Sequence, residues 1–250
     1  VFENERIEFE ADAATYSENL QCVSSLTTDA TRQVTYKPAA GSEHGGVPGQ
    51  GVRLQFGDGA VSGQVVFPRD NFVALEGLEF HWTSNANAGK TTVKASNGAL
   101  GLRVTDCLVR NDDANGVAVF LQGNDALDYA THPPTLSNCV FRATQHGFRL
   151  WNYGSVDKAY AVTNCTIDCG SRAFDIFSLT SDTTFTLTNN LILAAGEDLR
   201  DQGGGGTRTV LGSNNFGPQT SATHVFPAAL KGSPYPITAT TNTTPGFGDY

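Results

Sequence analysis

The chain has 250 residues, with 16 Lys and Arg against 25 Asp and Glu, a formal net charge of −9 and a sequence pI near 4.9. That balance repels phosphate backbones and argues against nucleic-acid binding. No apolar run approaches the roughly 20 residues that span a bilayer, so no membrane insertion is expected.

Hydrophobic residues make up 39% and charged ones only 16%, a globular rather than a disordered composition. The 27 glycines, beside abundant Thr, Ser and Asn, favour short strands and turns over helices. The chain opens without Met, inside the strand-like run Val1 to Phe9. It is therefore expected to be processed or cut from a longer protein, with no signal peptide to read.

Residues 1–70 contain at least three strand-like runs, Arg6 to Phe9, Gln33 to Lys37 and Val52 to Phe56. A Gly-rich turn, Ala40 to Gly49, separates the last two. These residues are expected to form the first coils or a cap.

From 71 to 217 one motif recurs. Val104-Thr105-Asp106-Cys107-Leu108-Val109, Leu136-Ser137-Asn138-Cys139-Val140-Phe141 and Val162-Thr163-Asn164-Cys165-Thr166-Ile167 share a hydroxyl–Asx–Cys centre. Leu187-Thr188-Asn189-Asn190-Leu191-Ile192 and Leu211-Gly212-Ser213-Asn214-Asn215-Phe216 continue it with Asn in place of Cys, and Val73 to Phe80 is an earlier relative. With the residue after the Asx as marker, the positions are 77, 107, 139, 165, 190 and 215, a spacing of 30, 32, 26, 25 and 25.

A constant period of about 25 residues is a solenoid signature. Val162 and Ile167 are five apart, so they face the same interior only if the chain bends between them. Asn and Asp tolerate the left-handed backbone of such a bend. A further strand follows in each unit: Gly116 to Leu121, Gly147 to Asn152 and Ala173 to Ser178. Several strands per period without helical periodicity predict an all-β, right-handed parallel β-helix of about 25-residue coils. A β-sandwich is the structural alternative, but it does not require equivalent positions to recur.

Stacking coils about 4.8 Å apart places Cys107, Cys139 and Cys165 in one core ladder, continued by Asn190 and Asn215. Buried, reduced thiols are expected there. With Cys22 and Cys169 the count is five, and no pair has zinc-ligand spacing. Ser84 to Asn97 and Gln122 to Pro134 are expected to protrude as loops. Residues 201–206 read as a flexible turn. The tail 218–250 holds five of the ten prolines and is expected to cap the last coil or lead into a missing region.

Over about residues 50–216 the coils resemble right-handed parallel β-helix proteins of the pectate-lyase-like superfamily. Thr28-Asp29-Ala30-Thr31-Arg32 and the segment Pro38 to Gly49 resemble the N-terminal part of β-helix proteins of tailed bacteriophages. The resemblance implies a virion component: a tail spike, a fibre or a head decoration. The superfamily also hosts lyases, hydrolases and adhesins, so fold alone does not decide function.

Aligning the third strands on Gly116, Gly147 and Ala173 predicts Val117, Phe148 and Phe174 inward, with Val119, Leu150 and Ile176. One outward row is then Ala118, Arg149 and Asp175, with Arg149 and Asp175 as a surface ion pair. The next is Phe120, Trp151 and Phe177, an aromatic stripe suited to an interface, to stacking on sugar rings or to cover by a loop. Sugar hydrolysis needs two carboxyls across a cleft, about 5–10 Å apart. The candidates are Asp112, Asp113, His146, Arg149 and Asp175. Polygalacturonase-like enzymes use Asp with His and Arg on neighbouring coils, but Gln145-His146-Gly147-Phe148-Arg149 lacks their Gly-His-Gly and Arg-x-Lys motifs. Asn111, Asp113, Asn115, Gly116 and Gln122 half-match a calcium loop that has lost two charges, and are read as a turn. No metal and no cofactor is called for.

The reading is a structural or adhesive phage virion protein, exposed to the extracellular medium after synthesis in the host cytoplasm. Its partners are expected to be two further copies in a homotrimer, other virion proteins or a host surface glycan. The alternatives are a polysaccharide depolymerase, hydrolase or lyase, and a secreted bacterial adhesin. The acids are expected mainly in turns and outward rows, on the skin of the rod.

Overall fold

The computed structural model describes residues 5–9, 15–17, 20–22, 28–57, 63–83, 90–96, 100–123, 129–152, 156–178, 182–202, 207–213 and 215. The tail 218–250, residues 203–206 and residues 84–89 of the first expected loop lie outside the described residues.

The chain winds through three strands per coil. The first two coils hold β1 (Glu5–Phe9), β2 (Thr15–Tyr16), β3 (Leu20–Cys22), β4 (Val34–Pro38), β5 (Arg53–Phe56) and β6 (Gln64–Pro68). Next come β7 (Val73–Glu76), β8 (Glu79–Trp82) and β9 (Thr91–Ser96), then β10 (Arg103–Thr105), β11 (Leu108–Asn111) and β12 (Val117–Gly123). They are followed by β13 (Thr135–Ser137), β14 (Val140–Ala143), β15 (His146–Asn152), β16 (Lys158–Thr163), β17 (Thr166–Cys169) and β18 (Arg172–Ser178). The last are β19 (Thr183–Thr188), β20 (Leu191–Ala194), β21 (Glu197–Asp201) and β22 (Arg208–Ser213).

Every third strand pairs in parallel. The first sheet has the order β1-β4-β7-β10-β13-β16-β19-β22, the second β2-β5-β8-β11-β14-β17-β20 and the third β3-β6-β9-β12-β15-β18-β21. This is the right-handed parallel β-helix that the repeat predicts, and the described residues contain no helix.

The bend between the first and second sheets lies where the Asx residues fall. Asp106, Asn138, Asn164 and Asn189 have φ of 54° to 55°, the left-handed region. Gly77, with φ 66°, takes this place one coil earlier. Thr105 pairs with Glu76, so Leu78 rather than Gly77 is the equivalent of Cys107, and that interval is 29 residues.

Just after the bend the predicted ladder runs through the core. The thiols of Cys107, Cys139 and Cys165 donate to the carbonyls of Thr105, Ser137 and Thr163 at 3.2, 3.0 and 3.2 Å. Asn190 then satisfies more groups at once. Its Oδ1 accepts from Cys165 N at 2.9 Å, and its Nδ2 donates to Val162 O at 2.9 Å. Asn215 Oδ1 accepts from Asn190 N at 3.1 Å, and Asn215 Nδ2 donates to Leu187 O at 2.7 Å. The four cysteines Cys107, Cys139, Cys165 and Cys169 are free and buried. Burial pushes the Cys139 thiol well up and that of Cys169 to about 12.

Phe148 and Phe174 stack across coils with centroids 5.0 Å apart, and Tyr160 stacks on Phe185 at 5.5 Å. At the corner from the third sheet back to the first, Lys158 is buried over the Tyr129 ring at 5.4 Å.

Two expectations are corrected, and one is filled in. Of the two proposed loops, Thr91–Ser96 is strand β9, Gln122 and Gly123 end β12, and Tyr129 is fully buried. Residues before 70, where at least three strands were expected, hold β2, β3 and β6 besides the three runs that stand out in the sequence. The acids are not confined to the skin, because Glu79, Asp113, Asp175 and Asp198 are buried.

Candidate functional site

Corner length sets the register of the third sheet. β14, β17 and β20 enter it through two-residue corners, residues 144–145, 170–171 and 195–196. β11 enters through five residues, Asp112 to Gly116. Gly116 is thus a corner residue and Gly147 a strand residue, so aligning the two glycines shifts the earlier strand by two.

The observed neighbours are Val119, Phe148 and Phe174, and next Leu121, Leu150 and Ile176. A Cβ on Gly147 would meet Ile167 Cγ2 at 2.5 Å, so Gly147 faces the core, as its row neighbours Ala118 and Ala173 do. Two successive inward residues kink each strand. Alternation then resumes with Arg149 out, Leu150 in and Trp151 out.

Ala118 therefore leaves the outward row that was expected to include it. That row is Lys94, Phe120, Arg149, Asp175 and Arg200. Trp151 pairs with Gln122 and Phe177, so Phe120 is not in the aromatic row. It still joins the cluster from the side. Phe120 and Trp151 meet edge to face at 6.1 Å, and Trp151 and Phe177 at 5.4 Å. Phe120 is buried, with Lys94 Nζ 5.7 Å from its centroid, while Trp151 and Phe177 remain half-exposed.

Asp175 is the centre of the charged part. Its Oδ2 lies 3.3 Å from Arg149 Nε and 3.8 Å from His146 Nε2. Its Oδ1 accepts from Gln202 Nε2 at 2.6 Å and lies 3.9 Å from an Arg172 terminal nitrogen. Arg172 Nε also reaches Glu197 Oε2 at 2.9 Å. The Asp175 side chain is 1% exposed against 34% for Arg149, so the pair is not the surface salt bridge that alternation predicts. A carboxylate this deep is tolerable only because donors surround it. Burial pushes the His146 imidazole down to about 4; Asp175 opposes this, and Arg149, Arg172 and Arg200 add to it. The ring is neutral at pH 7, and the carboxylate orients two arginines.

Asp112 and Asp113 do not join this group. Asp112 Oδ2 lies 2.7 Å from His81 Nε2 and 3.3 Å from Arg110, on the outer side of the second sheet. Asp113 Oδ1 accepts from Asn115 N at 3.0 Å, and its carbonyl accepts from Thr144 Oγ1 and from Gly116 N. Asn111 Nδ2 is committed to the carbonyls of Lys90 and Val117 at 3.0 Å each. The half-matched calcium loop is a hydrogen-bonded turn. Among the described residues no three or more His, Cys, Asp or Glu gather where they could hold a metal ion.

Sequence reasoning brought together Arg149, Asp175 and His146 but missed Arg172, Glu197, Arg200 and Gln202. The signal was present in the corner lengths. Aligned at the end of the second-sheet strand, rather than at a glycine, the four belong to the same rows. The assembled face offers guanidinium donors beside a half-exposed aromatic edge. Oxygen-rich rings are held by such a combination, with the donors taking oxygens and the aromatic faces taking C–H surfaces. Hydrolysis needs a second carboxyl across a cleft, and here Glu197 is tied to Arg172.

No family model matches the chain, and no curated protein matches it. Solved structures do. A pectin methylesterase from carrot superposes with a TM-score of 0.51 at 9% identity, covering 89% of this chain and 76% of that one. A pectin methylesterase from Aspergillus niger gives a TM-score of 0.50 at 12% identity, over 88% and 79%. At these identities the likeness is one of fold: the chain shares the parallel β-helix of pectin-processing enzymes.

Proposed function

We propose that this chain is the β-helix of a structural and adhesive bacteriophage virion protein, which presents the outer face of its third sheet to a host surface glycan. The observation that carries the adhesive part is the half-exposed Trp151–Phe177 pair beside arginines fixed by the buried Asp175. The virion part rests on the resemblance of residues 28–32 and 38–49, and a homotrimer is its expected form.

A polysaccharide-acting enzyme is the second reading. It is favoured by the fold shared with two pectin methylesterases and by the convergence of His146, Arg149 and Asp175 from neighbouring coils. Calorimetric titration with host capsular and lipopolysaccharide glycans, followed by chromatography of the same mixtures, separates the two. The adhesive reading expects saturable binding that Trp151→Ala weakens about tenfold (~1.4 kcal/mol), with glycan length unchanged. Shortened or de-esterified glycan would move the assignment to an enzyme. Absence of binding to every host glycan would remove the adhesive role.

A further inference from the structure

We propose that the outer face of the third sheet takes an anionic glycan laid along the rod axis, with its charges on every second sugar. This rests on the glycan-binding reading of the same face and adds the ligand's charge, period and direction.

The chain carries a net charge of −9, yet this face collects cations. Lys94, Arg149, Arg172 and Arg200 stand on four coils of the third sheet. Two carboxylates lie among them, and both are engaged. Asp175 is 1% exposed beside Arg149, and Glu197 holds Arg172 Nε at 2.9 Å. Lys94 and Arg200 are half-buried, and neither forms an ion pair with a described side chain. Lys94 Nζ lies instead between two rings, 5.7 Å from the centroid of Phe120 and 6.0 Å from that of Phe67. A ring face holds a cation without cancelling its charge. Arg149 spends its Nε on Asp175, and its terminal nitrogens bond no described side chain. Open charge of one sign, on a chain of the other sign, does nothing for folding. It draws an anion from solution.

Register gives that anion its period. Lys94, Phe120, Arg149, Asp175 and Arg200 succeed one another in one row, a coil apart. The cations therefore recur at every second coil, about 9.6 Å apart along the rod. Between them stand a buried phenyl ring and a buried carboxylate, and neither receives an anion. An extended chain of pyranose rings advances by roughly one ring per coil. A glycan lying along this row thus sets every second ring against a cation. Trp151 and Phe177 are two residues further along the strands of Arg149 and Asp175, half-exposed, where they meet the apolar faces of successive rings. A glycan charged on every ring would bring carboxylates onto Phe120 and Asp175. A neutral one would leave Lys94, Arg149 and Arg200 unused. A ligand lying across the rod, along one strand, would meet only one cation of the row.

Calorimetric titration of the 250-residue chain with three octasaccharides tests this. One alternates glucuronate with N-acetylglucosamine, one is galacturonate throughout, and one is a neutral glucose polymer. The alternating chain is expected to bind at least about tenfold more tightly than either of the others, and more weakly as salt rises. Lys94→Gln and Arg200→Gln should each weaken it about tenfold, with the unfolding temperature and the affinity for the neutral chain unchanged. Equal binding of the galacturonate chain would overturn the period. Equal binding of the neutral chain, still weakened by Trp151→Ala, would overturn the charge while the glycan-binding reading stands. Unchanged affinity in both Gln variants would overturn the proposal as well. Binding of none of the three would also overturn it, and the adhesive reading would then stand or fall on the host glycans alone.

Discussion

The corner between the first and second sheets and the outer face of the third sheet sit on the same coils and are built by opposite rules. At the corner the four coils that turn at Asp106, Asn138, Asn164 and Asn189 repeat one another: a left-handed Asx, then a buried Cys or Asn that closes hydrogen bonds to adjacent backbone. On the third sheet's outer face no coil repeats. Lys94, Phe120, Arg149, Asp175 and Arg200 occupy one row. Sameness satisfies the backbone of a stacked coil, which is a fold requirement. Difference places one carboxylate among three cations and sets two aromatic rings beside them, which a fold does not require. In a solenoid, the repeat is evidence of architecture and the departures from it are evidence of function.

The largest effect should come from breaking the repeat where it does most. Asn190→Ala removes the acceptor for Cys165 N and the donor to Val162 O, leaving buried backbone groups without partners. Each such group costs about 1–3 kcal/mol, so a loss of about 3–5 kcal/mol in urea unfolding is expected. Asn190→Cys restores the residue used in the three preceding coils, where the equivalent contact of Cys139 Sγ with Cys107 N is 3.4 Å. It should recover at least about half of that loss. If Asn190→Ala costs no more than Asn190→Cys, the ladder is packing alone and the comparison fails.

The two regions were also unequally legible. The corner was readable because an odd spacing such as Val162 to Ile167 demands a bend, and few residues accept its backbone. The face was only half readable. Arg149 and Asp175 were placed together because their coils have equal corners, while Phe120 was misplaced by the three extra residues between Asn111 and Val117. Register passes through corners, and a corner's length is visible only once the strands on both sides are bounded. Residues 39–51, between β4 and β5, had no period at all, so the contacts of Gly49 with Glu79 and of His44 with Asp106, up to 62 residues away, left no trace in the spacing.

An intermediate effect is expected where the inward row breaks its own rule. Gly147 and Ala173 are followed in register by Asp198, which is buried, has an oxygen without a partner, and is raised by burial to about 7. An acid raised in the folded state keeps a proton that the unfolded chain has released. The contribution of Asp198 to stability therefore declines as pH rises from about 4 to about 7 and is level above that. Asp198→Asn should leave stability at pH 4 nearly unchanged and raise it by about 2–4 kcal/mol at pH 8. Denaturant midpoints at the two pH values measure this. A variant that gains equally at both would mean that Asp198 does not carry the titration.

The smallest effect on stability sharpens the contrast within one strand. Phe174 and Phe177 are both on β18, three residues apart. Phe174 is buried and stacked on Phe148, so Phe174→Ala should cost about 3–5 kcal/mol through lost burial and the cavity left behind. Phe177 lies outside, half-exposed against Trp151. It loses one edge contact and part of its cover, so Phe177→Ala should cost under about 1 kcal/mol. Thermal unfolding of the two variants separates core from face directly. Glycan titration of Phe177→Ala then asks what the face is for. Weaker binding at near-normal stability marks the ring as a contact for a ligand. A loss of stability close to that of Phe174→Ala would instead mark it as core, and the outer face would lose its claim to be the functional side of the rod.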